Sequence, residues 1–248
     1  MKKVVFSCSM IILLAASVSA QKSAKPWTEW SQKDAEKIWN DSAWAQTQTE
    51  GGGVQEATQS SAISSTTAAR ESQVRSAGAA SKAGESGDKK EAAAIHYRVR
   101  LLTAKPVRAA FVRLVQLQGA PEERVAQLKT FIDRDFGDYI VVTISADGND
   151  QKRKMSIAQA LTSADVNALK EVAYLERKDG KRIQLLEYRA PTQDGLGAKL
   201  VFPRTVDGQP FIDANSGEVR FGLDLGKVAR IKSRFKVADM MYDGKLEF

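Results

Sequence analysis

The chain has 248 residues, 43% of them hydrophobic and 27% charged, with a formal net charge of +7. Its single cysteine, Cys8, lies near the N-terminus, and it has one histidine. That excludes a disulfide scaffold, a thiol nucleophile in the body of the chain, and thiolate or multi-histidine metal sites.

Met1-Lys2-Lys3 is a short basic start, and Val4 to Val18 is mostly apolar, densest over Met10 to Ala16. Ser17-Val18-Ser19-Ala20 follows with the small residues of a cleavage site, so residues 1–20 read as a signal peptide. The apolar run is too short for a comfortable membrane span. Cys8 leaves with this segment, and losing Lys2 and Lys3 lowers the net charge to about +5. An exported domain without disulfides must be held by its own core. A modest positive balance also suits a bacterial envelope, whose polymers and lipid head groups are anionic.

Residues 21–49 hold all four tryptophans, Trp27, Trp30, Trp39 and Trp44. Ser31 with Asp34 three residues later forms a capping box. Ala35, Ile38 and Trp39 then share one face of a short helix that stops near Asn40-Asp41-Ser42. Asn40-Asp41-Ser42 also matches a glycosylation acceptor.

Residues 50–94 open with Gly51-Gly52-Gly53, are dominated by Ala, Ser, Gly, Thr and Gln, and have no aromatic residue. Such a stretch cannot bury enough apolar area to offset the entropy of ordering it, and reads as a flexible linker.

Residues 95–248 read as the globular domain. Tyr97, Val99 and Leu101 alternate with Arg98 and Arg100 as in a strand. Pro106 suits a helix first turn, and Val107, Phe111, Leu114 and Val115 give a helix near 106–118 one apolar face. Gly119-Ala120-Pro121 breaks it. Val125, Leu128, Phe131 and Ile132 stripe a second helix near 121–135. From Tyr139 onward the pattern predicts strands: the apolar run Tyr139–Ile144, a hairpin around Asp179-Gly180, and alternating segments at Val219–Leu225 and Ile231–Val237. The expected fold is α+β, mainly an antiparallel β-sandwich with an inserted two-helix hairpin, plus the short N-terminal helix and the disordered linker.

Few patterns carry chemistry. His96 stands beside the linker at a strand start, without a nucleophile-elbow motif to make it a triad base. Asp194-Gly195-Leu196-Gly197-Ala198-Lys199 lacks phosphate-loop spacing and reads as a turn with left-handed glycines. Asp147, Asn149 and Asp150 lack the closing carboxylate of a calcium loop. Asp133, Asp135 and Asp138 cluster after the second helix. As paired acids they are the alternative reading, a carboxylate-dependent hydrolase of envelope polymers. The terminal Leu246-Glu247-Phe248 resembles the last strand of outer-membrane barrels, but short strands interrupted by helices do not suit a barrel. An outer-membrane-associated protein is the further alternative.

The remaining signals are for binding. Arg98, Arg100, Lys232, Arg234 and Lys236 lie on outward strand positions, and as neighbours they would form one cationic face for an anionic polymer, a phospholipid surface or an envelope protein. No aromatic residues interleave with them as nucleic acid would require. Trp27, Trp30, Trp39 and Trp44 are interface-type anchors. They serve either as a clasp onto the chain's own β-domain or as bait for a partner. The sequence points to a non-enzymatic, cofactor-free exported protein of the cell envelope.

Two stretches carry a resemblance. Lys25-Pro26-Trp27-Thr28-Glu29-Trp30-Ser31 with Asn40-Asp41-Ser42 and Trp44 is one. Gly195-Leu196-Gly197-Ala198-Lys199, Phe202-Pro203-Arg204 and Phe235-Lys236-Val237 with Met240-Met241-Tyr242 and Gly244-Lys245-Leu246-Glu247 is the other. Together they resemble a family of exported bacterial proteins without an assigned function, which implies a bacterial, exported setting, makes the Asn40-Asp41-Ser42 match a coincidence, and carries over no catalytic residues. N-terminal sequencing of the protein recovered outside the cytoplasm should begin at or near Gln21; a product starting at Met1 would overturn the signal-peptide reading.

Overall fold

The computed structural model describes residues 25–51 and 93–248. The signal peptide read over 1–20 and most of the linker read over 50–94 lie outside the described residues. Helix α1 spans Gln32–Asn40, where the sequence places it. The Ser31 side chain accepts from the Asp34 backbone N–H, and the Asp34 carboxylate accepts from the Ser31 backbone N–H at 3.0 Å. The linker boundary moves at both ends. Strand β1 runs Ala45–Gly51 and pairs antiparallel with β2, Ala94–Leu101, so Glu50, Gly51 and Ala94 are ladder residues.

Helices α2 (Lys105–Leu117) and α3 (Glu122–Ile132) form the expected hairpin. Pro106 sits in the first turn of α2, and the Glu247 carboxylate accepts from the Lys105 N–H at that helix's start. Strand β3 is Tyr139–Gly148, and Ile140–Ile144 is buried throughout, as a β-branched apolar run buried on both faces should be.

Two helices then fall where the sequence reading has only turns and strands: α4, Gln151–Thr162, and α5, Val166–Val172. Their signals are short. Asp150 caps α4 by accepting from Arg153 N–H, Asp165 caps α5, and only Ile157, Leu161 and Leu169 are buried. So little apolar periodicity does not stand out from a polar connection.

The remaining strands are β4 (Ala173–Arg177), β5 (Arg182–Gln184), β6 (Glu187–Arg189), β7 (Ala198–Pro203), β8 (Thr205–Val206), β9 (Gln209–Pro210), β10 (Glu218–Asp224), β11 (Arg230–Lys236), β12 (Met241–Tyr242) and β13 (Lys245–Leu246). The β4–β5 hairpin turns at Asp179-Gly180, with Gly180 at φ 85°.

The class is α+β with antiparallel sheets. One sheet has the order β1-β2-β3-β7-β6 and the other β11-β10-β4-β5, beside two small two-stranded ribbons. Only Leu185-Leu186 separates β5 from β6, so the chain steps from one sheet to the other within two residues. Both sheets contribute to a single buried cluster, in which the rings of Phe202 and Phe221 meet edge-on at 6.4 Å.

The tryptophan segment belongs to this core. Trp30, Trp39 and Trp44 are buried, while Trp27 is half-buried. Trp39 packs on Phe111 at 5.3 Å, Trp30 O accepts from Arg113 Nε, and Trp44 Nε1 donates to Glu247 O. The segment is a clasp onto its own domain. Replacing Trp39 by Ala should destabilise the protein by about 3–5 kcal/mol. Denaturant unfolding followed by tryptophan emission, blue-shifted in the native protein, checks this; a loss under about 1 kcal/mol would mean that the segment is dispensable to the fold.

Candidate functional site

Strand β11 alternates strictly. Ile231, Ser233 and Phe235 are buried, and Lys232, Arg234 and Lys236 are exposed. Pairing with β10 sets Lys232 opposite Gly222, Arg234 opposite Arg220 and Lys236 opposite Glu218. Directly opposed residues share a face in an antiparallel ladder, so these side chains stand on the outer face of the four-stranded sheet.

The face carries two kinds of cation. Arg220 Nε holds Glu218 at 2.7 Å, Arg182 holds Glu176 at 2.6 Å, and Arg230 holds Asp224 at 3.0 Å. Arg182 also lies 3.8 Å over the Tyr174 ring. Gly222 makes room for that ring, since a Cβ there would stand 2.4 Å from Tyr174 Cζ. By contrast, Lys232, Arg234 and Lys236 make no ion pair among the described residues. They form a strip of uncompensated positive charge along one edge strand.

Arg98 and Arg100 do not join that strip, which corrects the single face expected from sequence. They stand on β2 in the other sheet, with β1 between β2 and β11. Arg98 Nε pairs with Asp147 at 2.7 Å. Arg100 is 2% exposed: its Nε donates to Trp39 O, its Nη1 to Ser145 Oγ and its Nη2 to Asn40 Oδ1, with the guanidinium 4.0 Å over the Trp39 ring. Burial, with a smaller contribution from Arg98, lowers its pKa. Alternation alone cannot tell an outward position under solvent from one under a helix.

Three of the four tryptophans likewise face inward. Trp27 borders a shallow depression of about 450 Å³ with Lys25, Lys105, Asp133 and Tyr242. The carboxylates read as possible acids are exposed, with Asp133 paired to Lys105 Nζ at 2.7 Å and Asp135 Oδ1 accepting from Gly137 N. His96 meets the Thr49 hydroxyl at 2.9 Å. Asp194 accepts from Leu196 N and from Lys199 Nζ, and Gly195 and Gly197 adopt positive φ as read from sequence.

One polar cluster was invisible in the sequence because it joins β1, β2 and the unexpected α4. Tyr97 OH donates to Glu50 Oε2 at 3.0 Å, and Arg153 holds the same carboxylate at 2.7 Å.

With the fold and this surface in view, the class defined is an α+β protein with antiparallel sheets and a cationic edge strand. No family model matches the chain, and no curated protein matches it. Among solved structures it is similar to a protein of unknown function from Burkholderia pseudomallei, with 11% identity and a TM-score of 0.36, over 56% of this chain and 72% of that one.

Burial, and then the Glu50 hydrogen bond, push the Tyr97 hydroxyl up to about 12, and burial does the same to Tyr188. A folded-state pKa above the unfolded value favours the native state fully below about pH 10, and that contribution disappears as pH rises through about 12. Stability measured by denaturant titration should therefore fall between those values. Tyr97→Phe should make the decline shallower, with Tyr188 and Tyr242, whose hydroxyl pKa values burial also raises, contributing to what remains; an unchanged slope would show that Tyr97 titrates normally.

Proposed function

We propose that this is an exported, non-enzymatic binding protein of the bacterial cell envelope, and that it engages an anionic partner through Lys232, Arg234 and Lys236. The observation that carries the reading is charge without a partner. Neighbouring arginines on the same sheet are each neutralised by a carboxylate, while these three cations, alternating on an edge strand, have none among the described residues. Held about two residues apart on a rigid strand, they present a linear array to which an extended polyanion conforms at small entropic cost.

Two further elements belong to this proposal. The first is a sandwich arrangement of the two larger sheets, which the Phe202–Phe221 contact and the common core favour. The second is kinship with the exported family resembled by the sequence. In its favour, the two motif stretches meet in space: Trp44 lies edge-on to Tyr242 at 6.2 Å and donates to Glu247 O.

The test is retention of the protein on immobilised sulfated or phosphate polymers as salt is raised. The wild type should bind at low salt and elute as the charges are screened. The variant carrying Lys232→Glu, Arg234→Glu and Lys236→Glu should bind roughly tenfold more weakly or not at all. Equal retention of both proteins would overturn the assignment of the surface.

A further inference from the structure

The edge of β11 is as informative as its face. The Val237 N–H donates to Gly217 O, so the odd-numbered residues of this strand turn their backbone groups toward β10. The even-numbered residues turn theirs outward, as the Arg230 carbonyl and the Lys232 N–H show by bonding the side chain of Gln48. Gln48 Nε2 donates to Arg230 O at 2.9 Å, and Gln48 Oε1 accepts from Lys232 N at 2.8 Å. Bonding the carbonyl before Ile231 and the N–H after it is what the N–H and C=O of one residue of a parallel strand do. One side-chain amide of β1, which lies alongside β11, thus occupies the first site of an edge that no described strand pairs with by a backbone ladder.

Beyond Gln48 the outward groups of this edge make no further hydrogen bond among the described residues. The Lys232 carbonyl, both backbone groups of Arg234 and the Lys236 N–H point the same way, and no described residue bonds them. The side chains above that stretch are the three cations that make no ion pair among the described residues. Lysines on an edge discourage pairing with identical or apolar strands. They do not discourage a strand carrying carboxylates at every second position, whose side chains would stand about 5 Å from the cations.

We infer that β11 accepts an extended acidic peptide segment of a partner protein as an added strand, with its main chain bonding the outward groups of Lys232, Arg234 and Lys236 and its alternate carboxylates pairing with their side chains. Main-chain bonds supply affinity in this mode, and alternate side chains supply specificity. The inference rests on the anionic-partner reading and narrows it to a polypeptide.

The test uses the full chain and a fluorescent seven-residue peptide, the length of β11, alternating Glu and Thr. Two control peptides accompany it: one with N-methylated amides on its binding edge, and one with Lys in place of Glu. Inorganic polyphosphate serves as a competitor. The expected result is saturable binding of the acidic peptide, weakened roughly tenfold or more by N-methylation, with no binding of the Lys peptide. The Lys232→Glu, Arg234→Glu, Lys236→Glu protein should lose binding while keeping its native tryptophan emission. The N-methylated peptide needs no protein variant, so misfolding of that variant leaves the test intact. If the N-methylated peptide binds as tightly as its parent, strand addition is wrong and only the polyanion surface stands. If neither peptide nor polyphosphate binds, both readings fall.

Discussion

The buried guanidinium of Arg100 ties the N-terminal segment to the sheet. A charge taken out of water is costly unless its hydrogen-bonding groups are satisfied. Here satisfaction comes from the C-terminal end of α1: the Trp39 carbonyl and the Asn40 side chain accept from it, Ser145 accepts on the other side, and the Trp39 indole covers the ion's face. A helix C-terminus, with its unpaired carbonyls and partial negative charge, is a suitable partner for a cation. Helix α1 therefore docks in one orientation, which sets Trp39 on Phe111 and delivers the chain into β1 beside β2.

Other elements depend on that placement. With β1 in its ladder, Trp44 reaches the C-terminal ribbon and donates to Glu247 O, while the Glu247 carboxylate satisfies the N–H of Lys105 at the start of α2. The N-terminal segment, the helix hairpin and the last residues of the chain are thereby joined through two neighbouring side chains, and Gln48 on the same strand reaches β11. The junction between the two sheets at that corner is made by a side chain instead of a backbone ladder. This leaves most of the β11 edge without a strand partner while its inward side chains stay in the core.

The charges divide accordingly. Cations near the core are consumed by structure: Arg100 by α1, and Arg108 by the carbonyls of Leu102, Thr103 and Ile132. Those on the outer face are mostly neutralised in pairs, each worth little in stability because both partners are solvated. On that face of the four-stranded sheet three remain without an ion pair among the described residues, all on β11.

Local chemistry in the sequence determined the Ser31–Asp34 cap, the α2–α3 hairpin broken at Gly119-Ala120-Pro121, the buried run of β3, the Asp179-Gly180 turn and the alternation of β11, because each follows from contacts within a few residues. The weakly periodic α4 and α5 escaped it, since their buried faces amount to Ile157, Leu161 and Leu169 and their helical state depends on what those residues meet. Tertiary structure alone decided that β1 continues into residues assigned by composition to a linker, that Arg100 lies under α1 while Lys232 lies under water, and that Arg98 and Arg234 belong to different sheets. Those outcomes depend on which strands become neighbours, and strand order is set by long-range packing that residue alternation does not encode.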